Sequence, residues 1–223
     1  MKKFAVIVAG GSGQRMGSHL PKQFLLLQQK PILWHTINNF FNAFNDIEIV
    51  LVLPQKNMQI GEELKANFDD KASQIKLVAG GETRFQSVKS GLQFVPENAI
   101  VFVHDGVRCL VSKDLIVRCF EQTIQLGSAI PVVAATDSIR IVGNSTHKIV
   151  NRDNVKIVQT PQTFLSNNLK AAFNQTYQSH FTDEASVVES FGQPVFLCEG
   201  DYNNIKITRP IDLVVAEGIL SSL

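Results

Sequence analysis

Arg15 and Lys22 lie seven residues apart on a glycine-rich stretch, Gly10-Gly11-Ser12-Gly13-Gln14-Arg15-Met16-Gly17, that leads into Leu20-Pro21-Lys22-Gln23. Glycine permits positive φ and a close backbone approach, so that backbone N–H groups over Ala9, Gly10, Gly11 and Gly13 can converge on one anion. Backbone donors leave much of a triphosphate's charge unbalanced. The planar fork of Arg15 and the compact ammonium of Lys22 would balance it and stabilise charge developing on a phosphoryl oxygen. An ordinary strand-to-helix turn uses the same glycines, and glycine count alone does not separate the two readings.

Two better-known phosphate loops are excluded. The dinucleotide fingerprint requires glycines at its first, third and sixth places; Gly11 and Gly13 fit, but Met16 stands at the sixth. The P-loop requires glycine followed by Lys and then Ser or Thr, whereas Gly17 precedes Ser18-His19 and Ser12 replaces the first glycine.

A second candidate is Asp105, which ends the apolar run Ile100-Val101-Phe102-Val103-His104 and precedes Gly106-Val107-Arg108. A carboxylate there can hold Mg²⁺, which prefers oxygen ligands, keeps several waters and bridges to substrate phosphates. It can equally start a turn, with Arg108 as its salt-bridge partner. His104 reads as structural. In Gly80-Gly81-Glu82-Thr83-Arg84-Phe85-Gln86-Ser87, Thr83 and Gln86 have the spacing of a capping box.

These groups need a scaffold that brings loops together. Strand-like runs at 4–8, 47–53, 75–78, 100–104 and 129–134 alternate with helix-like segments at 32–44, 58–68, 84–94 and 115–126. The strand runs are apolar without strict alternation, as expected of strands buried on both faces. The order predicts an α/β fold: a doubly wound, mainly parallel, Rossmann-like sheet with its ligand crevice at the carboxyl ends of the strands. Residues 136–142 and 147–152 around the tip Gly143-Asn144-Ser145-Thr146 read as a β-hairpin, either a solvated one or one that packs on something. Thr182 reads as the cap of the helix that Asp183-Glu184-Ala185 opens, and 211–220 as a closing amphipathic helix.

At 223 residues the chain suits a single domain, 1–223, with a core that needs no disulfides. The 21 basic and 20 acidic residues nearly cancel without like-charge blocks, which argues against nucleic acid or an anionic membrane as partner. Cys109, Cys119 and Cys198 lack metal-like spacing, and neither a signal peptide nor a membrane span fits the start, so a cytoplasmic protein is expected.

The motif Gly-Gly-x-Gly-x-Arg-Met-Gly followed by Pro-Lys-Gln resembles the signature of cytidylyltransferases that act on polyol phosphates. With further motifs at four more places, the chain is most similar to the 2-C-methyl-D-erythritol 4-phosphate cytidylyltransferases of the non-mevalonate isoprenoid pathway. The resemblance implies CTP and methylerythritol phosphate as substrates, Mg²⁺ as cofactor with Asp105 as its ligand, and a homodimer built through an arm at about 136–158. It implies catalytic roles for Arg15, Lys22 and Lys206, the last within Asn204-Ile205-Lys206-Ile207-Thr208 and directed from a strand. Gly81, Glu82 and Ser87 would meet cytidine, with Asp105 and Gly106 beside the nucleotide. Arg108, Ser138, Thr160, Thr182 and Asp183 would border the polyol phosphate, and Arg152 would reach the other subunit's site.

Two positions depart from the family's pattern. Cys109 stands where proline usually follows the arginine, which implies a looser turn, and Asn203 stands where some members carry an acidic metal ligand. A ribitol 5-phosphate cytidylyltransferase is the alternative enzyme; a nucleotide-binding regulatory protein without turnover is the alternative of another class.

Overall fold

The structure, a computed structural model, describes residues 1–11 and 20–222. In chain order the elements are β1 (Lys3–Val8), β2 (Leu26–Leu27), β3 (Lys30–Pro31), α1 (Ile32–Ala43), β4 (Ile47–Leu53), α2 (Met58–Ala66), β5 (Ile75–Ala79), α3 (Arg84–Leu92), β6 (Ile100–Asp105), α4 (Lys113–Leu126) and β7 (Ser128–Ala134). They continue with β8 (Ile139–Val142), β9 (His147–Val150), β10 (Lys156–Val158), β11 (Gln162–Leu165), α5 (Ser166–Ala172), α6 (Glu184–Ser190), β12 (Leu197–Glu199) and α7 (Pro210–Ser222).

The main sheet has the order β10-β7-β11-β6-β1-β4-β5, with β12 also paired to β7. Strands β5, β4, β1 and β6 are mutually parallel, with Val8 level with both Val52 and Asp105. Alternate residues of β1 and β4 serve opposite layers. Ala5, Ile7, Ile49 and Leu51 pack with Leu33, Ile37 and Phe40 of α1 and Leu115 of α4, whereas Val6, Val8, Val50 and Val52 pack with Val88 and Leu92 of α3 and Val187 of α6. Helices on both faces explain why these strands read as continuous apolar runs. At Gly91 a Cβ would come within 2.6 Å of Val6 Cγ1, so α3 approaches β1 where a side chain is missing.

Several expectations are corrected. The sheet is mainly parallel as expected, and beyond β6 it gains one strand that was not expected, β11, inserted antiparallel between β6 and β7. Its four residues, after Pro161, are too few to announce a direction. Residues 156–158, assigned above to the arm, belong to the main sheet as β10. β8 and β9 pair antiparallel as a separate two-stranded sheet, its tip closed by Gly143 N–H on the Thr146 carbonyl at 2.7 Å.

Thr182 does not cap α6; Asp183 does, accepting from Ser186 N–H at 2.9 Å. The Asp183 carboxylate is one residue nearer the first turn. Lys206 lies on an irregular segment, not on a strand. α7 rests Leu213, Ile219 and Leu220 against the cluster of Leu27, Ile32, Val107 and Ile207, yet Ile211 and Val214 remain exposed, so its amphipathic pattern is incomplete. The expected capping box is present, with Gln86 N–H on Thr83 Oγ1 at 3.1 Å and Thr83 N–H on Gln86 Oε1 at 2.9 Å.

Candidate active site

From β1 the chain builds outward to β4 and β5 on one side, while β6 returns to the other side of β1. Such a reversal leaves a crevice at the carboxyl ends of the two central strands, since the following loops part there. A crevice of about 340 Å³ opens at that place. The ends of β1 and β6, the turn after β5, and Lys22 and Lys206 form its walls. A wider cleft of about 800 Å³ beside β7 and β12 is lined by Arg118, Lys156, Cys198 and Asp201, and among the described residues Ala9, Gly10 and Gly11 are not part of it.

The first wall is held by the residues after the glycine turn. Pro21 leads into a short 3-10 turn at Lys22–Phe24, which buries Lys22 and Gln23. Gln23 Nε2 donates to the Ala9 carbonyl at 2.8 Å, and Lys22 Nζ donates to the Ile207 carbonyl at 2.9 Å. Ala9 N–H in turn donates to the Val52 carbonyl at 2.9 Å. Ala9, Gly10, Gly11 and Lys22 therefore line the crevice as expected. Gly13 and Arg15 lie outside the described residues.

Asp105 ends β6 amid three cations. Lys206 Nζ lies 2.8 Å from its Oδ2, Arg84 Nε 3.4 Å from its Oδ1, and Arg108 Nε 3.8 Å from Oδ2. Burial alone would raise its proton affinity, but Arg84, then Lys206 and Arg108, outweigh burial and hold the carboxyl well below the usual carboxylate range. Asp105 is thus ionised. Gly106 follows where a Cβ would come within 2.9 Å of Ala9 Cβ and 3.0 Å of Leu33 Cδ1, so its lack of a side chain lets β6 turn against β1.

Behind Asp105 sits a buried lock. His104 Nε2 is 3.1 Å from the Arg108 carbonyl and must be its donor, because a carbonyl only accepts. Burial holds the ring down to about 4, so it is neutral, and Nδ1 is then an acceptor. Thr160 Oγ1 donates to that Nδ1 at 3.0 Å and accepts Asp105 N–H at 3.1 Å. The Thr160 hydroxyl, expected at the polyol phosphate, is committed here to His104 and the end of β6. Arg108 is likewise committed, donating from Nη1 to the Asn204 carbonyl at 2.8 Å.

On the opposite wall, Gly81, Glu82 and Ser87 all border the crevice. The Ser87 hydroxyl lies 3.0 Å from the Thr83 carbonyl and 3.4 Å from that of Gly81. Ser138 and Arg152 are exposed and lie apart from this crevice, with Arg152 Nη1 on the Thr136 carbonyl at 2.8 Å. Thr182 is exposed, and Asp183 accepts from Gln162 Nε2 at 2.8 Å. Sequence reasoning missed Arg84, which stands in the Gly-Gly-x-x-Arg segment, and Glu184, which reads as an ordinary acidic residue of a first helical turn. Burial of Glu184 is the missing information.

Residues 4–222 match the family model of 2-C-methyl-D-erythritol 4-phosphate cytidylyltransferase. The chain belongs to this family. It is 46% identical over 223 residues to the 2-C-methyl-D-erythritol 4-phosphate cytidylyltransferase of Bacteroides fragilis, covering 99% of this chain and 100% of that one. The solved structure of the Francisella tularensis 2-C-methyl-D-erythritol 4-phosphate cytidylyltransferase superposes with a TM-score of 0.78 at 31% identity, covering 98% and 99% of the two chains.

As a member of this family, the chain accommodates both departures from the pattern. Cys109 does not loosen its turn: Arg108 N–H closes on the Asp105 carbonyl at 3.0 Å, and Asn39 Nδ2 donates to the Cys109 carbonyl at 2.9 Å. Burial pushes its thiol up to about 12, which keeps it protonated and inert. Asn203 is exposed, its N–H on Asp201 Oδ1 at 2.8 Å. Asp201 does not replace the missing acid, since its other oxygen accepts from Ser112 at 3.2 Å, outside the crevice.

Proposed function

We infer that this chain transfers the cytidylyl group of CTP to 2-C-methyl-D-erythritol 4-phosphate, giving 4-diphosphocytidyl-2-C-methyl-D-erythritol and pyrophosphate for isoprenoid precursor synthesis. The observation that carries this reading is that Lys22, Lys206 and an ionised Asp105 line one crevice with Ala9, Gly10 and Gly11, in a chain whose residues 4–222 match the family.

The attacking phosphate oxygen is already anionic, so no general base or covalent intermediate is needed. Catalysis is positioning plus charge stabilisation. The backbone at Gly10 and Gly11 cradles the triphosphate, and Lys22, with Arg15, stabilises the charge that builds at the α-phosphorus and on the leaving pyrophosphate. Lys206 exchanges Asp105 for the α-phosphate. Glu82, Gly81 and Ser87 frame the base and ribose. Arg108 and Thr160 act here by fixing the two sides of the Asp105 turn.

Among the described residues no group of three or more His, Cys, Asp or Glu side chains could hold a metal by itself. Asp105, ionised and lining the crevice, would hold a Mg²⁺ ion as its one protein carboxylate, leaving its remaining positions to phosphate oxygens and water. Bound there, the ion would neutralise phosphate charge.

The enzyme works as a homodimer whose hairpin, β8 and β9, covers its exposed Ile141, Val142 and Ile149 on the partner and carries Arg152 and Ser138 to the partner's polyol phosphate. An isolated two-stranded hairpin is marginal in water, which supports this placement. Among the described residues no helix is long and apolar enough to cross a membrane. Three buried free cysteines support a cytoplasmic location.

Pyrophosphate release with CTP and Mg²⁺, offering methylerythritol phosphate and ribitol phosphate in parallel, tests the reading. Turnover with methylerythritol phosphate is expected; turnover with ribitol phosphate alone would overturn the substrate assignment and keep the nucleotide half.

A further inference from the structure

Arg84 has no role in the scheme above, yet it joins three segments of the site. It is the first residue of α3, its Nη1 and Nη2 both bond the Glu184 carboxylate at the start of α6, with Nη2 to Oε2 at 3.1 Å, and its Nε faces Asp105 at the end of β6. Glu184 is fully buried. Stability alone is a weak reason to bury such a pair, because apolar side chains of similar size usually serve as well or better.

What an apolar pair could not do is hold the Asp105 carboxylate. Arg84 takes Oδ1 and Lys206 takes Oδ2. The two cations are anchored unequally. Lys206 is on an irregular segment and its side chain is 42% exposed. Arg84 is fixed at both ends, by a capped helix start and by the two contacts to Glu184, and a planar fork loses little freedom in such an arrangement.

We propose that Arg84, aimed by Glu184, is a positioning residue for cytidylyl transfer: it holds the Asp105 carboxylate in place while Lys206 moves from Asp105 to the substrate phosphate. The same side chain ties the Gly80–Glu82 turn, which precedes it, to the end of β6. This inference rests on the cytidylyl-transfer reading of the crevice.

The test uses the full-length chain with Arg84→Met and Glu184→Met combined, which removes both charges and keeps apolar volume, together with Arg84→Lys, which keeps a cation for Glu184 but cannot span both carboxylates. Thermal unfolding, CTP binding by calorimetry and steady-state pyrophosphate release are measured on each. The double variant should unfold near the wild-type temperature while kcat/KM for CTP falls about 10-fold to 100-fold, the scale of a misplaced reacting group. Arg84→Lys should fall in the same direction. Asp105→Asn should cost much less in the Arg84→Lys background than in wild type, because both changes disturb one carboxylate.

Wild-type kcat/KM in the Arg84 variants, or additive losses with Asp105→Asn, would overturn the inference. Should the double variant fail to fold, the Arg84→Lys and Asp105→Asn cycle decides by the same criterion. Wild-type protein that neither binds nor turns over CTP would sink the functional reading and this inference with it; a wild type that does both beside unaffected Arg84 variants would sink the inference alone.

Discussion

Lys22 and Ile207, 185 residues apart in the chain, are joined by a 2.9 Å hydrogen bond from the Lys22 ammonium to the Ile207 carbonyl. The bond fixes the segment after the glycine turn to the backbone just beyond Lys206. Ile207 N–H is itself bonded to the Val107 carbonyl at 3.0 Å, so Lys22 and the backbone beside Lys206 are tied to the segment that follows β6. Lys22→Met keeps the aliphatic stem and removes the charge. Turnover should fall on the order of 10²–10³, as for loss of one preorganised donor to a developing charge. Stability should fall by about 1–3 kcal/mol from the weakened Ile207 carbonyl. Pyrophosphate release and denaturant unfolding separate the two; full turnover would leave Lys22 as a brace only.

Thr160 aligns the strand end through one hydroxyl used twice. Thr160→Val would strip both the His104 ring and the Asp105 N–H of a partner inside the core, a loss of about 1–3 kcal/mol. Thr160→Ser should retain most of the stability and activity, and Thr160→Val should lose activity mainly in kcat because Asp105 is displaced. Denaturant midpoints and steady-state kinetics of the two variants check this. Equal behaviour of serine and valine would show that the hydroxyl is dispensable.

His104 predicts the shape of the acid limb of stability. Burial depresses its folded value from 6.5 to about 4, so the unfolded chain takes up a proton that the folded chain refuses. The stability it contributes is complete above pH 6.5 and is lost as pH falls toward 4, by up to about 3 kcal/mol. Asp105, also depressed, adds a loss that begins only below the ordinary carboxylate value of about 3.9. Unfolding midpoints of wild type and His104→Asn between pH 7 and 4 test the first step: the variant should show a shallower decline, whatever its stability at pH 7.

Arg152 tests the proposed exchange of residues between the subunits of a homodimer. Arg152→Ala and Lys22→Met homodimers should both be weak, whereas mixed dimers should regain activity at the one site that has both residues. Recovery toward about a quarter to a half of wild-type turnover, proportional to the heterodimer present, is expected if sites act independently. No recovery in proven heterodimers would place Arg152 in its own subunit's site or outside catalysis.

Much of this was legible along the chain. The capping box at Thr83 and Gln86 was read from spacing, since it depends on contacts within a few residues. Asp105 was legible as the charged end of an apolar strand. The antiparallel insertion of β11 was not, because four residues beside a proline carry no directional signal. Nor was Thr160, whose polarity suits a site wall as well as it suits the lock it forms with His104.

What the sequence by itself determined is the set of local elements and the chemistry on offer: buried strands, capped helices, a glycine turn with cations, and a carboxylate at a strand end. Only the tertiary structure decided which charges meet. Arg84, Asp105 and Glu184 are separated by 21 and 79 residues of chain, and Lys22 and Lys206 stand near opposite ends of it. Their pairing follows from the reversal of strand order at β1 and from burial, which makes each remaining partner costly to lose. Neither property is local, so no spacing of residues could announce it.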